Sequence, residues 1–368
     1  MASSVAFVIE HAYVDALACF REPIKYFAAQ GMQVDVYLRI TPHHPVPNFL
    51  DQHVRLIPLD VTVAGAARLV ATLVARRPRY AAIFTVPQWS LYWSTVVGRM
   101  TGTPVAYISD ELFVDAELTT ASQRKWKARE RRAHRRCAFT IALSPDRAAY
   151  LRTLNALPPP DQHPVYIVPN SAPAPSVRSA SHYYRDVLGL PSDRPILLHA
   201  GGMGWAPAES LAVAAAGWGD SGPAIVFQGR LPAQMRDRQN RGAVYFSPTT
   251  LPAALLDYAV SSADIGLALY DDRKMNDRLM GTASGKLCLY MKNALPVITT
   301  RLECFEWVER EGCGVRVGTM DEIPAAVRAI REGYDGFACN VRRFYDAHLD
   351  FKKNFAPVAA HVDRLVTA

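Results

Sequence analysis

The sequence lacks the features that define several large protein classes. No uninterrupted apolar run reaches the roughly 18 to 20 residues that a membrane-spanning helix needs. The first apolar run, Val5 to Ile9, is followed at once by Glu10 and His11 and has no basic segment before it, so we expect no secretion signal. The six cysteines are scattered, with no C-x-x-C pair or Cys/His cluster. We therefore expect reduced thiols and no structural metal site.

Charge is present without a strong bias. The chain has 41 Lys plus Arg and 34 Asp plus Glu, a net charge of +7. This modest excess suits an anionic partner such as a nucleotide, a lipid phosphate or a membrane surface, without choosing among them. Half of the 368 residues are hydrophobic, which predicts a packed chain. The length fits two domains of roughly 150 to 200 residues each.

Short apolar runs alternate with helical patterns in both halves of the chain. Continuous apolar strands between helices are typical of parallel sheets covered on both faces. We predict an α/β fold with two Rossmann-like, doubly wound domains and a cleft between them. Residues 1–170 form the first domain, the Pro- and Ser-rich residues 171–181 form a linker, and the second domain starts at residue 182.

A glycine-rich turn, Gly201-Gly202-Met203-Gly204, follows the first strand of the second half. Glycines at such a position let backbone N–H groups approach a phosphate. Pro207 stands where G-x-G-x-x-G would need its last glycine, which disfavours a nicotinamide dehydrogenase. The turn is either a ligand-facing loop or a flexible strand end.

The most informative stretch runs from residue 264 to residue 286. A buried strand, Ile265 to Leu269, opens onto the polar loop Tyr270 to Asn276, and Ser284-Gly285-Lys286 then precedes an amphipathic helix. A Ser-Gly pair at a helix start offers N–H donors, a hydroxyl and the positive end of the helix dipole, and Lys286 adds a point charge. This pattern indicates a diphosphate site. The alternative is an ordinary Ser cap beside a solvated lysine.

The same stretch resembles the donor-site region of GT-B glycosyltransferases. The matching letters are A-D-I-G-L-A-L-Y, then N, then A-S-G-K-L-C-L-Y-M-K-N-A-L-P-V-I-T. The chain is similar, more narrowly, to the retaining bacterial sugar transferases that make capsules and exopolysaccharides. Further matches are Val165 to Asn170, Ile196 to Gly202, Ala224 to Gly229, and R-E-P-I-K-Y-F-A-A-Q-G-M-Q-V-D-V-Y near the start.

The resemblance implies a division of labour between the domains. The N-terminal domain would bind the acceptor, residues 182–340 would bind a nucleotide sugar, and residues 341–368 would form a helix that crosses back to the first domain. The implied donor-site residues follow strands or begin a helix: Gly201, Gly202, Arg230, Tyr270, Asn276, Ser284, Gly285 and Lys286.

One departure leaves the stereochemical outcome open. The retaining family carries two glutamates eight positions apart near this loop, and the corresponding positions here are Gly281 and Leu289. Two alternatives to a transferase follow. One is a GT-B nucleotide-sugar epimerase or hydrolase, and the other is a non-catalytic nucleotide-sugar-binding partner subunit.

Four residues of the first half are candidates for catalysis. Asp110 and Glu111 follow the strand Val105 to Ile108, and His11 and Asp15 follow the first strand. An inverting transferase needs a carboxylate or histidine that takes the proton of the acceptor hydroxyl, whereas a retaining enzyme can do without one. The alternative for each residue is a helix cap or a surface charge.

A dense basic run, R-K-W-K-A-R-E-R-R-A-H-R-R, spans Arg124 to Arg136. As a cationic helix it could dock on anionic lipid headgroups with Trp126 near the interface. The alternative is a solvated face packed through Ala128 and Ala133. No recognised nucleic-acid module accompanies the run, so we expect no nucleic-acid partner. We expect a cytoplasmic protein that can associate with the inner face of the membrane.

Taken together, the sequence predicts transfer of a hexosyl group from a nucleotide sugar, UDP-linked rather than GDP-linked, to a glycan or lipid-linked acceptor. This chemistry would serve the synthesis of cell-surface polysaccharide or glycoconjugate. We expect no cofactor beyond the donor substrate. We also expect no metal, because Asp271-Asp272 lacks the D-x-D spacing and a lysine with a helix dipole can neutralise a leaving diphosphate.

Overall fold

A computed structural model describes residues 4–11, 14–41, 47, 52–75, 80–202, 206–219, 222–229 and 242–367. The chain divides into two compact units. The first unit comprises Met1–Asn170 and Phe351–Ala368, and the second comprises Ser171–Asp350. Each unit is an α/β structure built on one parallel sheet.

The sheet of the first unit has seven strands in the order β3-β2-β1-β4-β5-β6-β7, all parallel. The strands are β1 (Ser4–Ile9), β2 (Gln33–Leu38), β3 (Val54–Pro58), β4 (Tyr80–Val86), β5 (Val105–Ser109), β6 (Phe139–Ala142) and β7 (Val165–Ile167). The central strands β1 and β5 are buried along almost their whole length, as expected for a sheet that is covered on both faces.

Helices of the first unit cover this sheet. They are α1 (Ala18–Ala29), α2 (Val63–Ala75), α3 (Gln88–Thr101), α4 (Ala121–His134), α5 (Pro145–Leu154) and, from the end of the chain, α14 (Phe351–Thr367). The last helix packs on α1 through aromatic rings, with Tyr26 at 5.1 Å from Phe355 between ring centroids. Phe351 and Phe355, which are both buried, therefore belong to the core of the first unit.

The sheet of the second unit has six parallel strands in the order β10-β9-β8-β11-β12-β13. They are β8 (Ile196–Ala200), β9 (Ala224–Gln228), β10 (Val244–Ser247), β11 (Ile265–Ala268), β12 (Val297–Thr300) and β13 (Gly314–Val317). Gly266 has to be glycine, because a Cβ there would lie 2.2 Å from the ring of Tyr290. The helix that carries Tyr290 therefore packs directly against β11.

The helices of the second unit are α6 (Tyr183–Leu188), α7 (Ala206–Ala216), α8 (Ala253–Ser261), α9 (Met275–Arg278), α10 (Gly285–Lys292), α11 (Glu306–Arg310), α12 (Ile323–Glu332) and α13 (Tyr334–Phe344). A π-helical turn, Tyr345–Leu349, follows α13. One apolar core joins Leu211 of α7, Phe227 of β9 and Ile330 of α12.

Two segments that we expected to lie outside the two domains are parts of the two units. Residues 171–181, expected as a linker, lie within the second unit, where Ser176 Oγ donates to the carbonyl of Met291 at 2.6 Å. Of residues 341–368, expected as one crossing helix, those up to Asp350 belong to the second unit and the rest form α14 of the first.

Both sheets reverse their strand order beside their first strand, between β1 and β4 and between β8 and β11. In doubly wound sheets, ligands bind outside the carboxyl ends of the strands near such a reversal. The prediction of two Rossmann-like parallel sheets is confirmed. In the described part of the chain, no helix has the length and apolar character that crossing a bilayer requires.

Candidate functional site

A histidine–aspartate pair lies at the carboxyl edge of the first sheet. His11 follows β1 and Asp110 follows β5, and only β4 stands between these strands. His11 Nε2 lies 3.0 Å from Asp110 Oδ2, and the Asp110 side chain is only 8% exposed. The fold therefore joins two candidates that are 99 residues apart.

The electrostatics of this pair favour a charged imidazole. Burial lowers the pKa of His11, but the hydrogen bond and charge of Asp110, with the charges of Glu111 and Glu10, outweigh it, so the pKa is raised above 6.5. A neutral His11 that donates its Nε2–H to Asp110 carries its lone pair on Nδ1. Such a pair can take a proton from a hydroxyl, with the carboxylate stabilising the imidazolium that forms.

The other two catalytic candidates lie nearby in the chain but have different surroundings. Glu111 is exposed and acts on His11 through its charge. Asp15 lies in a 3₁₀ turn, Val14–Ala16, where its backbone carbonyl accepts a hydrogen bond from Arg21 at 2.7 Å. Asp110 is therefore the candidate for which a hydrogen bond to His11 is established.

Two residues at this edge were missed by the sequence analysis. Burial raises the pKa of Glu10, whose carboxylate accepts from the backbone N–H of Trp89. Arg147 in α5 is fully buried and donates to the backbone carbonyl of Asp110 at 2.5 Å. The position of Glu10 directly after β1 was a usable signal, whereas nothing in the sequence separates Arg147 from a surface arginine.

In the second unit, Ser284 caps α10. Its hydroxyl accepts from the N–H of Leu287 at 3.1 Å and shares a hydrogen bond of 2.6 Å with the hydroxyl of Tyr270. Ser284 is also buried. Its hydroxyl oxygen therefore bonds to protein groups and is not open to solvent. Tyr270 in turn stacks on Phe305, with ring centroids 5.8 Å apart.

The start of α10 presents two further backbone donors and an ammonium group. Within the described part of the chain, no acceptor is found for the N–H groups of Gly285 and Lys286, as is usual for the first turn of a helix. Lys286 Nζ lies 4.7 Å from the centroid of the Tyr270 ring. Desolvation lowers the pKa of Lys286 to about 8, against the opposing charge of Asp277. These groups form an arrangement that can bind an anion.

The remaining donor-site candidates lie at strand ends or beyond the described residues. Gly201, directly after β8, has a φ of +119° and donates to the carbonyl of Gln228 at 2.9 Å. Gly202 is exposed beside it. Asn276 lies within α9, and Arg230 lies outside the described residues.

A buried histidine stands close to this region. His199 of β8 is 1% exposed, and neither ring nitrogen has a hydrogen-bond partner among the described residues. Burial, followed by the positive charge of Lys286, holds the pKa of His199 well below 6.5. Burial therefore favours the neutral form of this imidazole.

No carboxylate replaces the two glutamates of the retaining family at their own positions. Gly281 is buried with a φ of +44°, which favours glycine, and Leu289 lies in the middle of α10. Among the described residues, no group of three or more His, Cys, Asp or Glu side chains could hold a metal ion.

The basic run forms α4, which begins with a capping box between Thr120 and Gln123. Its packed side differs from the expectation. Ala133 is buried, but Ala128 is exposed and Lys127 is 0% exposed. Lys127 Nζ donates to Asn155 Oδ1 at 2.7 Å and to Glu130 at 3.3 Å, because a buried ammonium needs partners.

The outer side of α4 keeps part of the predicted charge. Arg124, Lys125 and Arg132 are exposed. Arg129 is drawn inward instead, and its guanidinium lies 4.5 Å from the Trp126 ring centroid. These exposed side chains leave a cationic surface on the helix.

Solved structures share the architecture of the whole chain. Sucrose-phosphate synthase from Thermosynechococcus elongatus aligns with a TM-score of 0.71 at 16% identity, covering 99% of both chains. HepE from Anabaena, in complex with UDP and glucose, aligns with a TM-score of 0.71 at 15% identity, covering 98% of this chain and 100% of HepE. WaaG, a glycosyltransferase involved in lipopolysaccharide biosynthesis, aligns with a TM-score of 0.67 at 15% identity, covering 99% and 100%.

These three proteins are GT-B glycosyltransferases. This chain has the GT-B fold. The expected resemblance is thereby confirmed for the fold. No protein-family model and no curated protein sequence matches the chain.

Proposed function

We propose that the protein transfers a hexosyl group from a UDP-sugar to a hydroxyl group of a glycan or lipid-linked acceptor. The observation that carries the proposal is the start of α10, where the N–H groups of Gly285 and Lys286 have no acceptor among the described residues and the ammonium of Lys286 is desolvated. That chemistry suits the diphosphate of a nucleotide sugar. The choice of UDP is supported by HepE, a protein of the same fold whose structures contain UDP and UDP-glucose.

The proposed reaction is a single displacement. The acceptor oxygen forms a bond to the anomeric carbon, its proton passes to His11, and the bond from the anomeric carbon to the diphosphate breaks. The electron pair leaves with the diphosphate, whose added charge is stabilised by Lys286 and the helix N-terminus. This neutralisation uses residues of the chain, so we propose a reaction without a metal ion.

The His11–Asp110 pair favours an inverting outcome. A base positioned by a buried carboxylate is what deprotonation of an acceptor hydroxyl needs, and the pair is hydrogen-bonded at 3.0 Å. The positions of the retaining glutamates hold Gly281 and Leu289. We therefore propose that the anomeric configuration is inverted.

The test is release of UDP from a panel of UDP-sugars with and without acceptor sugars and lipid-linked sugars. Acceptor-dependent UDP release with a new glycoside of inverted configuration supports the proposal. Epimer formation or UDP release without any acceptor would favour the epimerase or hydrolase alternative. UDP binding without turnover on any acceptor would favour the non-catalytic partner subunit.

The exposed cations of α4 support a membrane-bound acceptor. We propose that Arg124, Lys125 and Arg132, which are exposed on one side of the helix, attract an anionic lipid surface. The protein should float with phosphatidylglycerol vesicles. The fraction that floats should fall as salt is raised, because salt screens surface charge. Replacing these three residues by alanine should abolish recovery, whereas Arg328→Ala with Arg331→Ala on α12 should not.

A further inference from the structure

Among the residues that the structure describes, Arg147 is the largest fully buried side chain. It lies in the first turn of α5, where its own N–H is capped by Ser144 Oγ at 3.2 Å. Burying a guanidinium is costly unless it is paired and hydrogen-bonded. A buried arginine at the carboxyl edge of a sheet therefore requires a reason beyond packing.

One hydrogen bond of Arg147 indicates that reason. Its Nη1 donates to the backbone carbonyl of Asp110 at 2.5 Å. Asp110 follows directly after β5, so this bond fixes the peptide that carries the carboxylate. Among the described residues, that carboxylate is hydrogen-bonded to His11 through Oδ2, and its Oδ1 is buried without a hydrogen-bond partner. The side chain of Asp110 thus has little else to hold its orientation.

We propose that Arg147 is a positioning residue that holds the Asp110 peptide so that its carboxylate remains hydrogen-bonded to His11. The inference rests on the proposed function, because it concerns the base of that reaction. Arg147 acts on the peptide of Asp110, and through it on the imidazole.

The charge and the hydrogen bond of Arg147 have opposite effects on His11. Loss of a nearby positive charge would raise the pKa of His11, because the imidazolium would be less repelled. Loss of the hydrogen bond would loosen Asp110 and lower that pKa, because Asp110 is the group that raises it most. The charges of Glu10 and Glu111 also face His11 and are unchanged in either case.

The experiment is an NMR titration of the His11 imidazole in the full chain, assigned by the signal that His11→Gln removes. The pKa of His11 is set mainly by burial, Asp110, Glu111 and Glu10, so the loss of the hydrogen bond to Asp110 should outweigh the loss of the Arg147 charge. In Arg147→Met we therefore expect the pKa of His11 to fall by roughly 0.5 to 1 unit. The matched control is Lys127→Met, which removes another fully buried cation of the first unit and should leave the pKa of His11 unchanged. An unchanged or raised pKa in Arg147→Met overturns the proposal, as does an equal fall in Lys127→Met.

A second variant keeps the test decisive if Arg147→Met does not fold. Arg147→Lys retains the charge but lacks the planar fork of the guanidinium, so a fall in the pKa of His11 would report the lost hydrogen bond alone. An unchanged pKa in Arg147→Lys overturns the proposal. The titration needs no substrate, so the positioning role can stand even if wild-type protein transfers no sugar, and it can fail while transfer is observed.

Discussion

The two units build their candidate sites in different ways. In the first unit, two side chains that are 99 residues apart meet at the edge of the sheet, His11 and Asp110. In the second unit, one short stretch supplies the backbone donors and the ammonium, at Gly285 and Lys286. A base needs two groups in a defined geometry, whereas an anion can be bound by the first turn of a single helix.

This difference predicts how each site responds to substitution. The first site depends on the pairing of two side chains, so a change to either of them should strongly lower its activity. The second site shares its task between backbone and side chain, so one substitution should weaken it without removing it.

The largest effect is expected from His11→Gln. Loss of the proton acceptor should lower the rate of acceptor-dependent transfer by about 10² to 10⁴-fold, while UDP affinity is retained. Initial rates and calorimetry with UDP check the two halves of this prediction. Glu111→Gln is the control: its exposed carboxylate raises the pKa of His11 by its charge, so its loss should change the rate far less than His11→Gln. Equal rates in His11→Gln and wild type would remove His11 from the mechanism.

Lys286→Ala should have an intermediate effect. Removing the ammonium costs about 1 to 3 kcal/mol of UDP binding, which is about 5- to 150-fold in Kd, because the backbone donors remain. Arg328→Ala, which removes an exposed positive charge from α12, should leave Kd unchanged. If Lys286→Ala binds UDP as tightly as wild type, the proposal of an anion site at the start of α10 is wrong.

Ser284→Ala should have the smallest effect on the ligand and a measurable one on stability. The hydroxyl caps α10 and bonds to Tyr270, so its loss should cost about 1 kcal/mol of unfolding free energy. UDP affinity should change far less than in Lys286→Ala. Thermal unfolding with and without UDP measures both quantities. A loss of UDP affinity as large as that of Lys286→Ala would mean that the hydroxyl itself binds phosphate.

The sequence predicted the fold well because the signals for the fold are local. Apolar runs such as Val5 to Ile9 and Ile265 to Leu269 are strands β1 and β11 of the structure. The start of α10 at Gly285 was also predictable, since Ser284 and Gly285 are adjacent residues with a clear capping chemistry.

The pairing at the first site could not be predicted from the sequence. Asp110 and Glu111 are neighbours of similar chemistry, and only the direction of the chain after β5 decides which of them meets His11. The burial of Lys127 and Arg147 could not be predicted from the sequence for the same reason. Their partners are distant in the chain: Asn155, just after α5, is 28 residues from Lys127, and the carbonyl of Asp110, just after β5, is 37 residues from Arg147.

We propose that the ammonium of Lys286 binds the diphosphate of the donor. Calorimetry with UDP as a function of pH tests this most directly. Desolvation lowers the pKa of Lys286 to about 8, so the side chain loses its charge as the pH rises through that value. We predict that UDP affinity falls between pH 7 and pH 9 in wild type. The fall should be smaller in Lys286→Ala, where only ionisation of the uracil ring of UDP remains. The same pH dependence in both proteins would contradict the account.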